Sequence, residues 1–278
     1  MSVDPTPEEP QTRQEALDEA RMSIMEHLAE LRTRLIYSII AIFVGVLVCW
    51  FFVDQIFGFL LQPLQDAVPD GKIDLANIHH KDLAEPIFAM LKTALIGGIF
   101  GTSPFLMFQL WKFISPGLYK HEKRMAIPFV LLGTIFFFGG AAFCYYLVMP
   151  MGYNFLLTFG LEVSSEPQLM MSEYLTLTTK LLLVFGLVFE LPVVSMFLSA
   201  LGVIDHNTLL RHWRAAVIGS FVAGAFLTPA DPMTQMLLAV PLTVLYFISV
   251  GVAWMFARRR AEKNEEVMEK LDELDSGE

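Results

Sequence analysis

The sequence predicts an all-α integral membrane protein: six transmembrane helices with both termini on the cytoplasmic side. Three observations carry that prediction. The chain is 55% hydrophobic and only 17% charged, with a mean hydropathy of +0.54, whereas a soluble domain carries roughly a quarter charged residues. Apolar runs of about 20 residues recur along it, long enough to cross a hydrocarbon core of about 30 Å as helices. The lysines and arginines cluster in alternate connecting segments. The runs are continuously apolar rather than alternating, which excludes an outer-membrane β-barrel.

Taken from the N-terminus, residues 1–22 read as a disordered cytoplasmic lead-in, with Pro5, Pro7 and Pro10 and six acids against two arginines up to residue 21. A basic n-region and a small-residue cleavage site are both missing, so this is not a signal peptide. Residues 23–257 form the transmembrane domain, and 258–278 a charged cytoplasmic tail with eight acids and five bases. Most of the net charge of -10 therefore resides in the tails, so it says little about partners.

The six spans run approximately Leu35–Val53, Ile87–Trp111, Ile127–Met149, Leu175–Leu201, Trp213–Leu227 and Met233–Met255. The fifth, at 1.5 Å per residue, reaches only about 22 Å. It must thin the bilayer or bury its ends in protein. Outer loops are expected over 54–86, where Pro63, Pro69-Asp70-Gly71 and Pro86 mark turns or caps, and over 150–174. With the N-terminus inside, fifteen Lys and Arg fall in cytoplasmic segments and only Lys72 and Lys81 in outer loops. That is the positive-inside pattern. Internal repeats, and the paired broken helices of inverted-repeat transporters, are not visible.

Catalytic chemistry has no foothold. His79-His80 lacks acids at metal spacing, and His121-Glu122 has no second histidine one helical turn on. Nucleotide loops and nucleophile elbows are missing. Cys49 and Cys144 lie inside apolar runs as buried small hydrophobes. No enzyme activity, cofactor, metal or nucleic-acid partner is expected.

Several polar residues invite a functional reading beside a plainer one. In Met25–Leu35, Leu28, Leu31 and Leu35 make one helical stripe, and Glu26, Glu30 and Arg34 another. Glu30 is either half of an i,i+4 ion pair on an interfacial helix, or a carboxylate held for a cationic ligand. The loop Ser115–Arg124 sets Glu122 among Lys120, Lys123 and Arg124. Glu122 is either neutralised locally or, with Glu30, part of a two-carboxylate site, which would favour planar guanidinium groups over ammonium. Glu190 lies midway along the fourth span beside Pro192, where an acid must face protein or water. Lys92 and Lys180 can snorkel to the outer surface. Asp231, followed by Pro232, can cap the sixth span.

Together, Glu26–Leu35, the loop Ser115–Arg124, Phe185–Pro192 and Leu227–Gln235 resemble TatC, the multispanning subunit of the twin-arginine protein translocase. The likeness extends from about residue 24 to 256, with four motifs in order. It implies a concave, glove-like six-helix bundle in the bacterial cytoplasmic (inner) membrane. It also implies a signal-peptide-binding surface formed by Glu30 and Glu122, with Arg32, Phe113, Pro116, Leu118 and Tyr119 in the same motifs. Glu190 matches the family's intramembrane acid. Asp231 and Gln235 match the region where the single-span partners TatA and TatB dock. Self-association in a receptor complex is implied as well. One departure stands out: Phe247 occupies a position where many relatives carry a glutamate.

The expected function is a receptor for twin-arginine signal peptides and a core scaffold for proton-motive-force-driven export of folded proteins through the lipid bilayer. The alternative is a proton-coupled secondary transporter using Glu190. An intramembrane protease would need a catalytic dyad that the sequence lacks.

Overall fold

The computed structural model describes residues 13–67, 84–114, 126–163, 170–200, 202, 204, 206–228 and 231–275, with backbone alone for 13–24, 126, 160–163, 259–261 and 263–275. The helices are α1 (Arg13–Trp50), α2 (Val53–Ala67), α3 (Glu85–Ile114), α4 (Ala126–Phe143), α5 (Met149–Val163), α6 (Met171–Ala200), α7 (His206–Arg211), α8 (Trp213–Leu227) and α9 (Pro232–Asp275). A π-turn, Cys144–Val148, joins α4 to α5. Among the described residues, five helical segments are long and apolar enough to cross a membrane, and α8 is a sixth, shorter apolar helix. This is a multi-pass helical membrane protein.

Small residues set the helix crossings, as expected where lipid removes the hydrophobic drive between helices. α1 packs chiefly on α3, through Gly45 and Gly98. A Cβ on Gly98 would lie 2.7 Å from the Val46 nitrogen, and one on Gly45 2.9 Å from the Gly98 carbonyl. Gly140 lets α4 approach α6 in the same way, since a Cβ there would fall 2.5 Å from the Phe185 carbonyl. α6 and α9 meet through hydroxyls: Ser195 donates to the Ser249 carbonyl at 3.1 Å, and Ser199 to the Ala253 carbonyl at 2.8 Å. Each hydroxyl thus finds an acceptor across the crossing.

The structure corrects several boundaries. The first outer loop contains α2, which buries Leu60, Pro63, Leu64 and Ala67. That i, i+3, i+4, i+7 spacing is a helical face, so Pro63 is a packed helix residue, not a turn. Two tyrosines hold this helix down: Tyr145 donates to the Phe59 carbonyl at 2.7 Å, and Tyr174 to the Leu60 carbonyl. The third span runs on through the π-turn and α5 to Val163, well into the stretch expected as a loop. α1 begins at Arg13, inside the lead-in expected to be disordered, and α9 continues through the charged tail to Asp275. The interfacial stretch Met25–Leu35 is one helix with the first span, not a separate element. The fifth span is α8, with the expected bounds.

The chief buried cluster joins α2–α6 and α9 around Leu60, Leu64, Cys144, Tyr153, Leu175 and Phe185. A second, aromatic cluster sits at the other end of the bundle, where Trp111 packs against Phe129 and Phe197 at ring distances of 5.1 and 4.7 Å. It ties the end of α3 to the start of α4, and so holds both roots of the segment 115–125. α1 lies outside these clusters, with most of its apolar surface exposed, as suits a helix facing lipid.

Candidate functional site

The site is built where α1 passes the end of α3. His27 stacks on Phe113, with ring centroids 4.5 Å apart and planes 19° from parallel. One turn further along α1, Arg34 donates to Glu30 at 3.0 Å, and each side chain keeps 25% of its surface exposed. The plainer reading of Glu30 as an i,i+4 partner is therefore what its resting geometry shows. Glu30 nevertheless remains accessible, and the Nε of Arg34 has no hydrogen-bond acceptor among the described residues. The pair is held at one point only, not as a two-bond fork, and a second guanidinium can still reach the carboxylate.

Arg32 is exposed on the same turn, and Phe113 is half-buried under His27. Leu28, Leu31 and Leu35, the expected apolar stripe, are all exposed. Glu122, Pro116, Leu118 and Tyr119 lie outside the described residues. The described chain contains the segment's two roots: Ile114 just beyond Phe113, and α4 from Ala126. The His27–Phe113 contact brings the Glu30 turn beside the first root. Sequence reasoning misses this stack, because a ring contact between residues 86 positions apart leaves no periodic trace.

The other polar residues are accounted for differently. Glu190 is 7% exposed and faces protein, as an acid inside a span must. A Cβ on Gly133 of α4 would lie 3.2 Å from its Oε2 and 3.3 Å from the sulfur of Met107 on α3. Its Oε1 has no partner among the described residues. Asp231 caps α9: its Oδ1 accepts from the Thr234 backbone N–H at 2.8 Å, and its Oδ2 from the Thr234 hydroxyl. Gln235 donates from Nε2 to the Phe221 carbonyl at 2.9 Å, tying α9 to α8. Both are half-buried and engaged within the chain.

Lys92 does not snorkel freely. Its ammonium donates to Thr176 at 2.7 Å and lies 3.5 Å from the Ser172 hydroxyl, both on α6. Phe247 is 44% exposed on α9, edge-on to Tyr246. Cys49 and Cys144 are both free, so these two cysteines do not join. No cluster of three metal-ligating side chains occurs among the described residues.

Comparison with known proteins gives a consistent result. Residues 26–241 match the family model described as Sec-independent protein translocase protein (TatC). The Sec-independent protein translocase protein TatC of Desulforapulum autotrophicum is 37% identical over 256 residues, covering 92% of this chain and 93% of the relative. That of Aquifex aeolicus is 36% identical over 242 residues, covering 87% and 98%. A crystal structure of a twin-arginine translocase receptor, TatC, superposes with a TM-score of 0.75 at 36% identity, covering 83% of this chain and 99% of that one.

Proposed function

The chain belongs to the TatC family, and from that premise we propose that it is the twin-arginine signal-peptide receptor and core scaffold of a proton-motive-force-driven translocase exporting folded proteins. It sits in the bacterial cytoplasmic membrane with both termini cytoplasmic, a reading supported by the Lys and Arg distribution. It acts as a binding and assembly component rather than an enzyme.

The observation that carries the receptor reading is the His27–Phe113 stack, which sets the accessible Glu30 beside the root of the segment bearing Glu122. In the resting receptor, Arg34 occupies one oxygen of Glu30 and orients the carboxylate. A cargo guanidinium competes for that carboxylate, and the second arginine takes Glu122. Exchanging an internal cation for an incoming one keeps the carboxylate paired throughout and makes binding reversible. Arg32, Pro116, Leu118 and Tyr119 complete the surface, and the apolar part of the signal inserts along the exposed faces of the bundle.

Partner helices of TatA and TatB dock along α8 and α9, near the tied ends at Asp231 and Gln235. Several copies of the chain associate in the receptor complex. Phe247 gives this docking face an apolar residue in place of a charge. The transporter alternative finds no support: Glu190 has no described hydrogen-bond partner at Oε1 through which a proton relay would continue.

The test is export of a folded twin-arginine reporter by Glu30→Gln, Glu122→Gln and the double variant. Each single change is expected to slow export, and the double change to abolish it. Undiminished export by the double variant would remove both acids from the receptor site.

A further inference from the structure

Hydrogen bonds between helices fix how deep each chain reversal lies. α6 and α9 run parallel and in register, since Ser195 bonds to Ser249 and Ser199 to Ala253. Ala200, the last residue of α6, is therefore level with Trp254. α7 then turns back along α9, because the Tyr246 hydroxyl donates to the Leu209 carbonyl at 2.6 Å. The α7–α8 junction, residues 211–214, accordingly lies near the level of Tyr246. α9 continues for twelve more residues to Arg258, about 18 Å along its axis. Over that length Phe247, Ile248, Trp254 and Met255 are exposed. Arg211 and Arg214 thus stand where the neighbouring helix still presents an apolar face. Both are exposed, and no carboxylate among the described residues pairs with either. α7 and α8 contain no acid, and α9 has none before Glu262. Unmatched guanidinium groups at hydrocarbon depth are costly, and snorkelling recovers only part of that distance.

We propose that the α7–α8 junction is an anionic phospholipid site in which Arg211 and Arg214 clamp one phosphate between them. Only His212 interrupts the helix that joins them, and its backbone stays close to helical, at φ −100° and ψ 11°. Side chains three residues apart on such a path are neighbours, and the guanidinium forks match phosphate oxygens bidentately. Trp213 stands between the two, with the Arg214 guanidinium 5.6 Å from its ring centroid. Tryptophan is the side chain that settles at the headgroup level. α8, fifteen residues long and so about 22 Å, draws that level inward to its end. The exposed face of α9 beyond Tyr246 receives the acyl chains. Charge chooses the lipid: with two cations and no acid on α7 or α8, an anionic headgroup is favoured, while the ammonium of a zwitterionic one meets the second guanidinium. A partner helix carrying an acid is the other conceivable occupant. It would have to bring its carboxylate to the same depth at its own cost, whereas a lipid phosphate already lies at the boundary of the hydrocarbon. The site does not depend on the receptor reading.

Native mass spectrometry of the purified full chain, equilibrated with equimolar phosphatidylglycerol and phosphatidylcholine of matched acyl chains, tests this. The wild type should retain phosphatidylglycerol preferentially. Arg211→Gln combined with Arg214→Gln should reduce that retention roughly tenfold, as expected for loss of charge-assisted bonds, and leave phosphatidylcholine retention unchanged. Arg211→Lys combined with Arg214→Lys keeps both charges without the forks and should fall between the two. Inorganic phosphate in excess should not displace the lipid. Equal retention of the two lipids by the wild type would overturn the proposal. So would phosphatidylglycerol retention unchanged in the double Gln variant. Displacement by inorganic phosphate would overturn it in favour of a soluble anion. A junction that retains no lipid but crosslinks to an acid-bearing single-span helix would overturn it in favour of a protein occupant.

Discussion

His27 and Phe113 stack face to face, 4.5 Å between ring centroids, and fasten the N-terminal stretch of α1 to the end of α3. The contact is local in space and remote in sequence. Without it, Glu30 rides on a helix whose close Gly45–Gly98 crossing with α3 lies about four turns away.

His27→Ala should therefore weaken binding of a twin-arginine signal peptide while leaving the bundle folded. An aromatic pair of this kind contributes about 0.5–1.5 kcal/mol, so the dissociation constant should rise roughly two- to tenfold. His27→Phe retains a stacking ring and should bind close to wild type. Fluorescence titration of labelled peptide against the purified variants reads this, and equal loss in both would show that the imidazole acts otherwise than by stacking.

Gly98→Val should separate α1 from α3. Any Cβ at Gly98 falls against the backbone of Val46 at 2.7 Å, which no rotamer change relieves. The expected loss is at least the 1–3 kcal/mol or so of an overpacked core, visible as a lowered unfolding temperature in detergent. Gly101→Ala is the control: nothing lies within 4 Å of its built Cβ, so stability should hold or rise by several tenths of a kcal/mol.

Asp231→Ala removes the α9 cap and should cost about 1 kcal/mol. Asp231→Asn keeps an acceptor for the Thr234 N–H and should recover most of that loss. If Asp231→Asn is stable yet fails to co-purify with single-span partners, the charge itself serves docking. Co-purification at wild-type level would leave Asp231 a helix cap.

Glu190→Leu replaces a buried carboxyl, one oxygen of which has no partner among the described residues, with an apolar side chain of comparable size. Relief of that desolvation should raise thermal stability by about 1–3 kcal/mol. Peptide binding at the α1–α3 site should be unchanged, while loss of export would locate the role of Glu190 after recognition. A destabilised Glu190→Leu would mean that the carboxyl is satisfied within the bundle.

Much of this molecule was legible in its sequence. Hydropathy found every span, and α8 agrees with its expected bounds because charge at Arg211 and Arg214 and the Thr228-Pro229 sequence mark its ends sharply. What escaped was helix outside the apolar runs. α2 is short and contains Pro63, so it reads as a loop until Tyr145 and Tyr174 are seen holding its carbonyls. The continuation past Met149 was hidden by Pro150 and Gly152, which punctuate a sequence, but the π-turn before them lets the helix run on. The pairing of Glu30 with Arg34 and the capping by Asp231 followed from spacing. The Lys92 contacts and the His27 stack did not, since both cross between helices far apart in the chain.

The most direct test of the receptor surface is photo-crosslinking from probes placed beside Glu30 and Glu122, at Leu31 and His121. The partner is a twin-arginine signal peptide, with its twin-lysine counterpart in a matched reaction. Two carboxylates that select planar guanidinium groups should label the arginine peptide strongly and the lysine peptide weakly. Equal labelling of the two peptides would contradict the account.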